Sequence, residues 1–403
     1  MLSFNKGTRT ALTCCLLVSM LFIRPSLTLG DTVPVATKIQ EWQLESLPTD
    51  GKEHLNISGI TLNKNESLLV VGADERSHIQ VLKKTGKTKF ALVDEGNIPL
   101  ASGETELDVE GIARDKDYTW VIGSHSMKRK SIKSPEELKE QAKKEEKKGD
   151  KLSVDYNHDR IATVAVEPTR EWLYRLEIEN NGSAKQNSIR RGSLRDIFAN
   201  HPVLARFRNI PSKENGVDIE GLAVIPNSGS KKTKLLVGLR GPSLRGPLAV
   251  VLEVSAKEEK ADDGRLILEI KPKDTYYLSL GGRGIRGMSA MTKKKDGYLV
   301  LAGPLGDEPT PYMLYHWNGE DTVPEIDTLD ATLNVTGLCL IPPPEAQPKA
   351  KAEGVHFLGE QDGIVKFVIV YDSAINGSPT VFSCKLARIF QQGVNRNDGA
   401  DSS

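Results

Sequence analysis

Two hydrophobic patterns alternate along this chain. One is a continuous apolar run that closes on or near glycine. It appears as Leu68-Leu69-Val70-Val71-Gly72, Thr119-Trp120-Val121-Ile122-Gly123, Leu235-Leu236-Val237-Gly238 and Tyr298-Leu299-Val300-Leu301-Ala302-Gly303. A fifth run is Phe367-Val368-Ile369-Val370-Tyr371. Runs of this length bounded by turn residues predict strands buried on both faces. The other pattern alternates apolar with polar residues, as in Ile79-Gln80-Val81-Leu82 and Leu173-Tyr174-Arg175-Leu176-Glu177-Ile178. It predicts strands further from the core.

Ahead of each run stands one short phrase: a small polar residue or Gly, a β-branched residue, a polar residue, Gly, then Ile, Leu or Met. The copies are Asn56-Ile57-Ser58-Gly59-Ile60, Asp108-Val109-Glu110-Gly111-Ile112, Asp218-Ile219-Glu220-Gly221-Leu222, Gly284-Ile285-Arg286-Gly287-Met288 and Asn334-Val335-Thr336-Gly337-Leu338. Their spacing is roughly 50–65 residues, with one gap about double. A small antiparallel meander repeated in this way cannot bury its faces alone, and packing several copies around an axis solves that. The expected fold is all-β, a β-propeller of five blades, with a degenerate sixth blade as the alternative.

Inserts account for the double gap. Residues 128–160 form a highly charged insert in which Ser134-Pro135-Glu136-Glu137 reads as a capping box with Pro at the first helical position. The helix that follows carries few apolar residues and predicts a solvated surface element. A second helical pattern covers 194–207. Residues 342–353, rich in Pro and Lys, read as an insertion before the last run. A strand at 37–47 lacks a phrase of its own and is expected to complete the last blade, closing the ring with both ends of the chain.

The ends divide from this domain at 31–391. Lys6 and Arg9 precede an apolar run of 13 residues at 11–23, too short for a membrane span of about 20 but normal for a secretory signal. The expectation is a signal peptide at 1–30 and a secreted or periplasmic protein with no remaining membrane span. An uncleaved anchor is the alternative. Residues 392–403 form a polar tail expected to be disordered. Once Cys14 and Cys15 leave with the signal, Cys339 and Cys384 remain, and the sequence leaves a bridge between them open.

Lys plus Arg and Asp plus Glu both count 54, so no net field recruits nucleic acid. The phrases instead place charge locally. Period-two alternation turns the residue before each phrase Gly, and the one two earlier, toward the channel. The expected ring is Asn56 and Ser58, Asp108 and Glu110, Asp218 and Glu220, Arg286, and Asn334 with Thr336. The ends of the second strands add Asp74, Glu75, Ser124, His125, Arg240 and Asp307, with Asp372 after the last.

Four readings fit this ring. Its charges pair and hold the ring closed, Arg240 and Arg286 against Glu110 and Glu220. Alternatively, Asp108, Glu110, Asp218 and Glu220 supply hard oxygens to calcium. In the third reading Arg240, Arg283 and Arg286, flanked by Asp74 and Asp307, hold an anionic ligand. In the fourth, His125, Glu110 or Glu220 act as catalytic acid or base while the arginines stabilise developing charge. Gly282-Arg283-Gly284-Ile285-Arg286-Gly287 matches the dinucleotide-binding pattern, but Met288-Ser289-Ala290-Met291 continues as a strand where a helix is required.

The phrases, with Ile122-Gly123-Ser124-His125-Ser126, Gly241-Pro242, Leu280-Gly281-Gly282-Arg283 and Ala302-Gly303-Pro304, resemble an uncharacterised, mainly bacterial family, domain of unknown function 3616. That resemblance implies no known reaction. The Asp-x-Glu-Gly phrases are also similar to phytase-like propellers with suspected esterase activity. Together these readings give an exported propeller recognising a small anionic ligand or a protein partner at the channel mouth. The alternative is a calcium-assisted phosphoester hydrolase.

Overall fold

Each apolar run becomes the second strand of a sheet, flanked on both sides by hydrogen-bonded neighbours. The computed structural model describes residues 33–49, 53–75, 77–101, 106–226, 232–245, 247–306, 308–323 and 334–386. The expected signal peptide, the tail at 392–403 and Asp307 lie outside them.

Five sheets radiate from one axis. Blade 1 runs outward from Ile57–Leu62 through Leu68–Ala73, His78–Lys84 and Lys89–Pro99. Blade 2 runs from Val109–Arg114 through Thr119–Gly123 and Leu173–Leu176 to Arg190–Gly192. Blade 3 comprises Asp218–Val224, Thr233–Gly241, Leu248–Lys260 and Leu266–Ser279. Blade 4 comprises Gly284–Ala290, Tyr298–Gly303, Met313–Trp317 and Val335–Leu340. Blade 5 comprises Lys351–Gln361, Ile364–Asp372, Thr380–Lys385 and, outermost, Thr37–Glu41.

The fifth inner strand corrects one expectation. Val335–Leu340 is the outer edge of blade 4, so Asn334 and Thr336 leave the ring. The inner strand of blade 5 is Lys351–Gln361, and its phrase is Ala352-Glu353-Gly354-Val355. Much of the stretch expected to be an insertion is therefore the approach to this strand.

Hydrophobic burial sits between blades. Leu69 and Val71 join the core shared with blade 5, while Leu68 and Val70 join the core shared with blade 2. Leu235, Val237 and Leu239 face blade 2, and Leu236 faces blade 4. A strand with a core on either side has no polar face, which explains runs without alternation. The phrase glycines let inner strands approach. A Cβ at Gly59 would lie 2.7 Å from Ile112, at Gly111 2.7 Å from Leu222, and at Gly221 2.9 Å from Ile285. At Gly287 it would lie 2.6 Å from the Glu353 carbonyl, and at Gly354 2.8 Å from that of Ser58, completing the circle.

The expected closure by both ends of the chain is present. Val35 bridges Leu340 of blade 4, Thr37–Glu41 pairs antiparallel with Thr380–Lys385 of blade 5, and Gln43–Glu45 pairs parallel with Lys89–Pro99 of blade 1. Cys339 and Cys384 form a disulfide across blades 4 and 5, with Cα atoms 6.2 Å apart.

The charged insert holds helices α1, Pro135–Lys148, and α2, Tyr156–Ala162. The capping box closes as expected: Ser134 Oγ accepts from the Glu137 N–H at 3.2 Å, and Glu137 Oε2 accepts from the Ser134 N–H at 2.9 Å. Neither helix buries a residue. A third helix, α3, Arg195–Asn200, sets Ile197 and Phe198 into the core between blades 2 and 3. Among the described residues no helix is long and apolar enough to cross a membrane.

Candidate functional site at the channel mouth

Every inner strand carries one extra residue relative to its partner. The pairing slips between Ile57 and Gly59, Val109 and Gly111, Ile219 and Gly221, Ile285 and Gly287, and Ala352 and Gly354. The bulged residues are Ser58, Glu110, Glu220, Arg286 and Glu353. A bulge re-aims its side chain, and these converge on the axis. The cavity there measures about 10 Å³ and is lined by Ser58, Glu110, Glu220 and Glu353 with neighbouring glycines and apolar residues. That is room for about one water molecule.

Arginines and carboxylates fill the ring. Arg286 is 2% exposed; its Nη1 donates to Glu220 Oε1 at 2.6 Å, and its Nη2 lies 3.5 Å from Glu353 Oε1. Arg240 donates to Asp218 and, at 2.8 Å, to Glu220. Arg170 binds Asp108 at 2.8 Å and also Glu106 and Glu167. Ser58 Oγ donates to Glu353 Oε2 at 3.0 Å. Burial acts to lower the pKa of Arg240 and of Arg286, but their carboxylate neighbours hold both above the usual guanidinium range. The expectation that arginines close the ring by pairing holds for Glu220, whereas Glu110 is left out. No hydrogen bond or ion pair engages Glu110 among the described residues. Burial, then Asp108, Glu220 and Glu353, push its carboxyl well above the ordinary range. Burial, partly offset by Arg286, pushes Glu353 up to about 8.

The surrounding mouth is acidic. Asp74 is pushed up to about 7 by burial and by Asp108, Asp372, Glu75 and Glu106. Its Oδ1 is buried and has no hydrogen-bond partner among the described residues. Burial likewise raises Asp218 to about 7, with Arg240 opposing and Glu220 and Asp108 adding to the rise. Asn56 Nδ2 donates to Glu75 at 3.2 Å, and Lys351 donates to Asp372 at 3.0 Å. Two non-glycine residues at this rim adopt positive φ, Asp108 at 57° and His125 at 53°, a region that such residues seldom occupy.

The remaining expected residues are placed as follows. His125 is buried and both ring nitrogens are engaged. Nδ1 pairs with the Gly123 carbonyl at 3.0 Å, and Nε2 accepts from the Leu194 N–H at 3.3 Å. Burial lowers it to about 4, against the opposing effect of the Gly123 bond. A ring held this way anchors the chain ahead of α3 and has no lone pair free to take a substrate proton. Arg283 Nε donates to the Pro311 carbonyl at 2.9 Å and Nη1 to the Tyr315 hydroxyl at 3.4 Å, away from the carboxylates. Among the described residues no three His, Cys, Asp or Glu side chains are grouped to hold a metal ion. Asp108, Asp218 and Glu220 are each paired with an arginine, so a calcium ion on the expected ligands would have to compete with those pairs. The anionic-ligand expectation meets the same obstacle, because Arg240 and Arg286 are already neutralised.

Sequence reasoning missed Glu353, Arg170, Lys351 and Tyr312. Glu353 was findable, since it precedes a phrase Gly and lies one turn ahead of the fifth apolar run. Arg170 comes from the short 3-10 turn Pro168–Glu171, where no periodicity marks it. The Tyr312 ring faces the Arg286 guanidinium at 5.7 Å, a placement set by the loop ahead of Met313–Trp317.

A five-bladed β-propeller with a closed axis and an acidic mouth is therefore the class. The chain belongs to the family described as Protein of unknown function (DUF3616), which matches residues 56–379. No curated protein matches it. Among solved structures it is similar to a mannose phosphorylase from Leishmania mexicana, at 12% identity over 87% of this chain and 88% of that one, TM-score 0.36. It is also similar to a β-1,2-mannobiose phosphorylase from Listeria innocua, at 12% identity over 89% and 92%, TM-score 0.35. A β-1,3-galactosidase with galactodeoxynojirimycin matches at 10% identity over 86% and 94%, TM-score 0.39.

Proposed function

We propose that this protein is an exported recognition module whose channel mouth binds a positively charged group, an ammonium or guanidinium of a small ligand or of a partner's side chain. The carrying observation is the Asp74 carboxyl. It is buried among Asp108, Asp372, Glu75 and Glu106, and its Oδ1 lacks a donor among the described residues. A cation placed there supplies the missing hydrogen bond and favours the ionised form. The Cys339–Cys384 bridge supports export to a secreted or periplasmic location, since disulfides persist in oxidising compartments.

Calorimetric titration with agmatine tests this reading, with citrate as the opposite-charge control. Agmatine should bind near pH 7 and release protons as Asp74 ionises, so that the observed heat depends on buffer. Asp74→Asn should abolish both. Binding of citrate in place of agmatine, with loss on Arg286→Ala, would restore the anionic reading; silence toward both compounds would end the recognition reading at this mouth.

A further inference from the structure

We infer a second, separate ligand site, for a small hydroxylated oxyanion, in the rim pocket between blades 2 and 3. This pocket measures about 500 Å³, within the usual range for small-molecule sites. It lies on the face opposite the mouth: Leu176 pairs with Thr119, where the second strand begins, and Lys257 follows Ala256, which pairs with Thr233.

The argument rests on charge that lacks its counterpart. Arg175 and Arg190 are 12% and 15% exposed, and both converge on one oxygen, Glu258 Oε2, at 2.5 and 2.8 Å. Two largely buried guanidinium groups therefore share one carboxylate. Arg175 Nε is buried with no partner. Its guanidinium stacks on the Tyr118 ring at 4.2 Å, which fixes its plane. Lys185 and Lys257 stand at the rim in half-exposed pairs with Glu177 and Glu259, and such exposed pairs hold little energy and open easily. A second anion entering here completes the neutralisation that Glu258 begins. The guanidinium forks suit phosphate or carboxylate oxygens. Gln186, Asn187 and Ser188 line the same pocket and offer amides and a hydroxyl to a polar body. A phosphorylated or carboxylated polyol meets both demands. The uncharged polyol meets only one.

The test is calorimetry and thermal denaturation of the whole protein with inorganic phosphate, glucose 6-phosphate, gluconate and glucose. Glucose 6-phosphate and gluconate separate the two oxyanion sources, and glucose tests the need for charge. Either charged compound should bind, at least tenfold more weakly when salt is raised to half molar, and glucose should not. Lys257→Glu, at the exposed rim, should weaken binding tenfold without changing the melting temperature. Glu258→Gln removes the internal counterion: it should lower the melting temperature, and phosphate should then raise it by more than in the unaltered protein. Binding of glucose as tight as that of its phosphate, or a Glu258→Gln protein whose melting phosphate leaves unmoved, would overturn the site. Asp74→Asn should leave all of these results unchanged, so the two sites fail or stand separately.

Discussion

Arg286 at the axis and Arg175 at the rim are both buried guanidinium groups, 2% and 12% exposed. Around Arg286 the carboxylates are in surplus: Glu220 and Glu353 contact it, and Glu110 stands by with no partner. Around Arg175 they are scarce, since Glu258 must also serve Arg190. The same residue type thus marks an acidic place in one region and a basic place in the other. The sign of a site follows from the balance of partners within hydrogen-bonding reach, and an arginine in a sequence motif does not by itself announce an anion site.

The sharpest way to break this comparison is to remove the axial cation. Arg286→Ala leaves Glu220 with Arg240 alone and Glu353 with only the Ser58 hydroxyl, both buried, and a loss of about 3 kcal/mol in denaturant unfolding is expected. At the rim, where water reaches the exposed pairs, Arg175→Ala should cost less, about 1–3 kcal/mol, through lost stacking and a lost charged hydrogen bond. If the two costs are equal, the axis is not the more desolvated of the two.

Titration sharpens the contrast further. Asp74, Glu110 and Glu353 have raised folded pKa values, so the folded state holds protons that the unfolded chain gives up. Their contribution is fully present below about pH 4 and is lost as pH rises toward 8. Glu110→Gln should therefore flatten the fall in melting temperature between pH 5 and 8, by a few degrees at the upper end. His125 works in the opposite sense. Its lowered pKa gives stability present above about pH 6.5 and lost as pH falls toward about 4. His125→Gln should soften that acid limb, at a cost of about 1 kcal/mol at neutral pH for the weakened Leu194 anchor. Unchanged pH profiles in both variants would mean that these groups are as wet as in the unfolded chain.

The blades were legible because a strand with a core on each side must be apolar throughout, as Leu68 to Val71 are, and because Gly59, Gly111, Gly221 and Gly287 stand where inner strands nearly touch. Local pattern misled at Asn334-Val335-Thr336-Gly337-Leu338. A Cβ at Gly337 would meet only residues of its own blade, Met313 and Tyr315, whereas one at Gly354 would meet Val370 of its own blade and also Ser58 and Ile60 of the neighbouring inner strand. The two glycines look alike in sequence and differ only in what packs on them. Many residues of the mouth were named in advance, and the pairing of Arg240 and Arg286 with Glu220 was foreseen, but the partners of Asp108 and Glu353 were not. Arg170 reaches Asp108 from a turn far along the chain, and no periodicity carries that information. Arginines can be counted in a sequence, but their counterions, here Asp218, Glu220 and Glu353, are set by the fold.

The belt formed by Val35, Thr37–Glu41 and Gln43–Glu45 has a consequence for biogenesis. Its binding edge on blade 5, Thr380–Lys385, is synthesised some 340 residues later. A nascent chain therefore holds an early strand that stays unmated on this edge until Thr380–Lys385 has been made. Until then the circle remains open. Completion of the last blade and its cystine is the event that commits the molecule to its final shape.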